Sequence, residues 1–133
     1  MPCCSACCGE PAMSEAQDRP VVLRSAAMDV IPTRRAGIGE RRLLGPELSE
    51  QQNLVLIDAE QGAEVELHEV PNSESFFVLE GELLVSGPEW EEVLKPGDLC
   101  YFQPGMEHAV RVTRGPARFL VVFAPSRSGP AGD

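Results

Sequence analysis

The sequence predicts an all-β fold, a single sandwich or barrel, and three observations carry that expectation. Short runs rich in Val, Leu and Phe recur about every ten residues. Turn residues fall between the runs, as Gln61-Gly62, Pro71-Asn72-Ser73, Gly87-Pro88, Lys95-Pro96-Gly97-Asp98 and Pro104-Gly105. No apolar period of 3.6 residues is sustained over three turns, and 12 Gly and 12 Pro in 133 residues disfavour long helices.

The elements follow in order. Residues 1–19 are small, polar and broken by Gly and Pro, and read as a flexible Cys-rich tail. The predicted strands are 21–23, 54–58, 63–70, 75–80, 82–86, 90–94, 98–103, 108–113 and 117–124. Turns at Glu80-Gly81 and Arg114-Gly115-Pro116 separate the later runs, and residues 45–53 suggest one short helical turn. A second loop-like tail occupies 126–133, which leaves 20–125 as one domain of ordinary size. Strands never alternate with helices, so a doubly wound fold is not expected.

Charge narrows the function. The net charge is −10. Twelve acidic residues and the single base Lys95 lie between Asp58 and Asp98, whereas six arginines lie between Arg19 and Arg42. A nucleic-acid binder needs a basic surface to displace counterions from phosphates, so nucleic acid is not an expected partner, and anionic membranes are disfavoured for the same reason. The basic first segment is suited to lie against the acidic middle, in its own subunit or a partner, if it is not simply solvated. The longest strongly apolar run, 119–124, is far shorter than the ~20 residues that span a bilayer, and the first residues lack a basic start followed by an apolar core, so the expected location is cytoplasmic.

Four of the five cysteines, Cys3, Cys4, Cys7 and Cys8, form two overlapping CxxC spacings. Such thiols can bind a soft metal or exchange disulfides, but one tight cluster does not wrap a tetrahedral ion alone, and an oxidisable tail is the plainer reading. Cys100 lies within a predicted strand as a small core residue.

Alternation sets Glu64, Glu66, His68 and Val70 on one face of their strand and Ala63, Val65 and Leu67 on the other. A polar set ending in His68 would then line a cavity, and the apolar outer face calls for a cover such as a neighbouring subunit, consistent with a homodimer. The chain's two histidines, His68 and His108, each stand near a turn, and Glu74 follows His68 by six residues. If the two hairpins face each other, His68, Glu74 and His108 converge as two imidazoles and one carboxylate, a donor set suited to Fe, Mn, Ni or Zn with positions left open. Each has a plain alternative: a histidine hydrogen-bonded in the core, or an exposed turn carboxylate.

At these residues the chain resembles the cupins, small jelly-roll β-barrels marked by two motifs. Residues 62–81 follow the first motif at Gly62, His68, Glu74 and Gly81, and residues 97–108 follow the second at Gly97, Gly105 and His108. Three positions depart: Val70 stands where the family has a second histidine, Gln103 replaces a proline, and Val112 replaces a final asparagine. The resemblance implies a single cupin barrel with His68, Glu74 and His108 as ligands of one divalent transition metal and the ligand at position 70 lost. It implies an enzyme of dioxygenase, isomerase or lyase type acting on a small molecule, with Glu66 or Tyr101 as the candidate proton donor or acceptor. The alternative is a sensor or binding cupin that performs no turnover and has a weakened or lost metal site. Phe76, Val78 and Phe102 are expected to pack the barrel.

Overall fold

The computed structural model describes residues 19–127. The Cys3/Cys4/Cys7/Cys8 cluster and the end of the C-terminal segment lie outside the described residues. A 3-10 turn at Ser25–Ala27 precedes eight strands: β1 Ile31–Pro32, β2 Ile38–Leu44, β3 Asn53–Ala59, β4 Glu64–His68, β5 Ser73–Gly87, β6 Trp90–Leu94, β7 Leu99–Phe102 and β8 His108–Ala124. All pairings are antiparallel, and the sheet runs β1-β2-β3-β8-β5-β6, with β4 joined to β8 and β7 joined to β5.

Two long strands close the barrel. β8 pairs with β4 through its first residues and with β3 through its last. β5 pairs with β7 first and with β6 later, and both halves of β5 run along β8. The turns expected at Glu80-Gly81 and Arg114-Gly115-Pro116 are not hairpins: each lies inside a long strand. The register between β5 and β8 shifts three times between Val78 and Leu83, so turn-type residues bend the strands there without ending them. Gly81 shows why glycine is required. Its φ is +82°, and a Cβ there would meet the Ala117 Cα and the Arg114 and Pro116 carbonyl oxygens, each at 2.7 Å.

Alternate residues of these strands fill one core: Val55 and Ile57 of β3, Phe76, Val78, Leu83 and Val85 of β5, and Val110, Val112, Phe119, Val121 and Phe123 of β8. The ring of Phe76 lies 5.1 Å from those of Phe102 and Phe119, contacts worth about 0.5–1.5 kcal/mol each beyond their burial. The two departures from the second motif's side chains are accommodated differently: Val112 joins this core, and Gln103 stands exposed in the turn before β8.

The segment before β3 differs most from expectation. Residues 21–23 form no strand; Val21, Val22 and Leu23 are exposed, and among the described residues no backbone pairs with this apolar run. β1 and β2 were not anticipated, because Glu40, Arg41 and Arg42 mask the strand pattern of β2. The basic segment does lie against the acidic middle within the same subunit: Arg41 bonds Asp58 at 2.6 Å and Arg35 bonds Glu66 at 3.0 Å. Residues 45–53 contain the expected turn, with Leu48 and Ser49 amides donating to the Gly45 carbonyl. Ser126 and Arg127 are tied to the barrel, the latter through Asn53.

Candidate metal centre

Each of the three candidate ligands is set by its strand. His68 ends β4 and is paired in register with His108, which begins β8. Glu74 lies near the start of β5, flanked by Phe102 of β7 and Phe123 of β8. Between Val65 and His68 the β4 register shifts: Val65 faces Val110 and His68 faces His108, so three steps on β4 match two on β8. This bulge overturns the simple alternation expected for β4. Val65 and His68 both reach the cavity, whereas Glu64 and Glu66 are exposed. Glu66 therefore stands outside the inner wall on which alternation placed it.

The imidazoles are oriented by backbone. His68 Nδ1 lies 2.9 Å from the Glu66 carbonyl, and His108 Nδ1 lies 2.9 Å from the Met106 carbonyl. A carbonyl oxygen only accepts, so each Nδ1 donates, and Nε2 is the ring atom left to face the site. Phe102 stacks on the His108 ring at 3.9 Å and 13°, fixing its plane, and the two imidazole centroids are 4.5 Å apart. The turn carrying Met106 is itself held by the Gly105 amide, which donates to the Val70 carbonyl at 2.8 Å.

The result is a convergence of acceptors. One donor atom from each of His68, Glu74 and His108 lies within 4.8 Å of the others. His68 Nε2, His108 Nε2 and Glu74 Oε1 are all buried, and among the described residues none makes a hydrogen bond of acceptable geometry. His108 Nε2 and Glu74 Oε1 are 3.0 Å apart, an ionic contact by distance, although the atoms are not aligned as donor and acceptor. Burial pushes the His108 imidazole down in pKa, but the Glu74 carboxylate and the Met106 carbonyl beside it push it up, and the net direction is up. Buried polar atoms that face one another without an aligned hydrogen bond are costly. A cation among them satisfies all three, so this donor set fits a divalent transition metal.

The adjoining cavity is small, about 40 Å³, with room for roughly three waters. Ile38, Ile57, Val65, Phe76, Val110, Phe119 and Val121 form its apolar wall, and Thr33, Arg35, His68 and Glu74 supply the polar lining. His108 is fully buried. Val70, at 3% exposure, belongs to the apolar core. Tyr101 is exposed, away from this lining, and Glu66 reaches it only through Arg35. The Arg35 guanidinium draws the Glu66 carboxyl down to about 2. Cys100 is half-buried against the core, and burial pushes its thiol up, away from the reactive range. Sequence reasoning missed Arg35 and Thr33. The only signal was the Arg34-Arg35 pair itself, because the hairpin that carries them was not foreseen.

A family model described as a cupin domain matches residues 54–123. The chain belongs to the cupin family. Solved structures agree in fold. KdgF from Halomonas sp. matches at a TM-score of 0.73 and 17% identity, covering 80% of this chain and 96% of that one. An RmlC-like cupin from Shewanella frigidimarina NCIMB 400 matches at 0.73 and 22%, covering 83% and 95%. The polyketide cyclase RemF from Streptomyces resistomycificus matches at 0.73 and 19%, covering 84% and 83%. No curated protein sequence matches the chain.

Proposed function

We propose that this cupin binds one divalent transition metal (Fe, Mn, Ni or Zn) through His68, Glu74 and His108, and transforms a small molecule in the adjoining cavity. The observation that carries the reading is the convergence of three buried acceptor atoms that lack donors. Two neutral imidazoles and one carboxylate leave a divalent ion with net charge +1 and fewer protein ligands than its usual complement. When bound, such an ion supplies Lewis acidity and open positions for a ligand's oxygen atoms. The chain's own groups do the rest. The Glu66 and Met106 carbonyls hold the imidazole protons on Nδ1, Phe102 fixes the His108 ring, and the apolar wall bounds the space beside the ligands. The similarity to a polyketide cyclase supports an enzymatic reading.

A second reading, a binding or sensor cupin without turnover, is favoured by one observation. Apart from the proposed ligands, the polar groups lining the cavity are Thr33 and Arg35, neither of which readily exchanges a proton near neutral pH. The proton-transfer role considered for Glu66 or Tyr101 would then need a ligand that reaches past the cavity. Comparing metal-loaded with chelator-treated protein separates the readings. Product formed only by the loaded protein supports the enzyme, whereas a ligand that raises Tm without product supports the sensor.

The exposed Phe77, Leu79, Leu99 and Tyr101 on β5 and β7 support a homodimer through this outer face, and light scattering reads its mass directly.

A further inference from the structure

Four strands are hydrogen-bonded along one side only among the described residues: β1, β4, β6 and β7. A free edge invites a further strand, and proteins block it with charge, proline or a bulge. Three of these edges carry such a block. β1 contains Pro32, β4 has a bulge and exposed Glu64 and Glu66, and β6 has exposed Glu91 and Glu92. β7, Leu99–Phe102, carries no charge, no proline and no break in register. Leu99 is 64% exposed and Tyr101 56%. Phe77, paired with Leu99, and Leu79 extend this exposed apolar surface across β5. The chain also holds an apolar run with nothing to pair with. Val21, Val22 and Leu23 are exposed and two of the three are β-branched, and among the described residues 19–23 make no backbone hydrogen bond. Arg19 and Arg24 bracket this arm, both exposed, as the exposed Asp98 and Glu107 bracket β7.

We infer that β7 is the seat for the arm of a second copy of this chain. Residues 21–23 of each copy add as a strand to the free edge of the other's β7, with Val21 and Leu23 on the face of Leu99 and Tyr101. Reciprocal exchange of the two arms closes a twofold dimer. This rests on the homodimer reading and names the segment that closes the dimer. Reach places the arm on a second copy. Its root is held where Arg41 of β2 donates to the Ser25 carbonyl at 3.1 Å. β2 and β7 stand four strand steps apart along β2-β3-β8-β5-β7, about 19 Å. Residues 19–24 extend at most about 20 Å, so within one copy the arm could cross the sheet but could not lie along β7. Charge selects the arm over the other pairing that a second copy offers. β7 against β7 brings the carboxylates of Asp98 and Glu107 to one another, whereas the arm brings Arg19 and Arg24 to them.

Light scattering over a dilution series of the full chain, under reducing conditions, reads the dissociation constant of the dimer. Leu23→Asp breaks the arm, and Leu99→Asp breaks the seat. Both side chains are exposed within one copy, so each variant keeps the wild-type circular dichroism. Each weakens the dimer about tenfold or more, the scale of losing one buried leucine. An equimolar mixture of the two variants regains dimer, because one of its two seats joins an intact arm to an intact β7. Either variant dimerising as tightly as the wild type, or a mixture that dimerises no better than its components, overturns the inference and leaves a homodimer closed in another way. Wild-type protein that stays monomeric throughout the series removes the homodimer reading and the exchanged arm together.

Discussion

At the scale of the residue, the site is a problem of protons and lone pairs. Two backbone carbonyls commit both Nδ1 atoms, and His108 Nε2 and Glu74 Oε1 then meet at 3.0 Å with nothing aligned between them. Removing one ligand should disable the site without dissolving the barrel. Glu74→Gln keeps the shape and removes the charge, and its metal content, read by mass spectrometry, should fall by at least about tenfold, the scale on which even less direct partners act. Circular dichroism should still report β structure. Position 70 gives the converse. Val70 packs into the core where the family carries a histidine, and Val70→His should tighten metal affinity in a competition titration with a chelator. Unchanged affinity would place position 70 away from the ion. The three candidate ligands were legible because both motifs keep their spacing. The Nδ1 anchors were not, since they come from backbone carbonyls two residues earlier, which no side-chain pattern announces.

At the scale of the element, the two long strands decide the geometry. β5 and β8 each pass through residues that read as turns, and their bends let one strand serve two sets of neighbours. Gly81 is the tightest point of this arrangement. Gly81→Ala meets three backbone atoms at 2.7 Å as well as an unfavourable positive φ, whereas Gly62→Ala, at φ +81°, meets nothing within 4 Å. In denaturant titrations Gly62→Ala should cost about 1–2 kcal/mol from conformation alone, and Gly81→Ala clearly more. Equal costs would mean that the strand crossing is loose. Gly-Pro and Glu-Gly are turn dipeptides, but in a curved barrel the same residues make bulges. The β4 bulge has the same lesson: it breaks the alternation that had put Glu66 and His68 on one face.

At the scale of the whole molecule, the barrel is held across its layers by charge as well as by its core. Asp58 of β3 accepts from Arg41 of β2 at 2.6 Å and from Arg118 of β8 at 2.7 Å, and Arg41 also donates to the Ser25 carbonyl. Burial pushes the Asp58 carboxyl up, but its bonds to the two arginines outweigh this and hold it below its ordinary 3.8. Because the folded value is the lower one, Asp58 contributes stability that is present above pH 3.8 and is lost as pH falls through the lowered value. Asp58→Asn should lower stability at pH 7 by about 1–2 kcal/mol and flatten the loss of Tm on acidification below that point. A mutant that keeps the wild-type acid profile would assign it to other groups. The all-β class and most strands were readable from spacing, whereas β1 and β2 were hidden by their charges, and with them Thr33 and Arg35 of the cavity lining.

The most direct measurement is the elemental content of the purified protein, prepared without chelator, beside that of His108→Ala prepared identically. The metal centre predicts about one divalent transition metal per chain in the wild type and little in the variant. Wild-type protein that takes up no such metal even when loaded, or a variant that holds as much as the wild type, contradicts it.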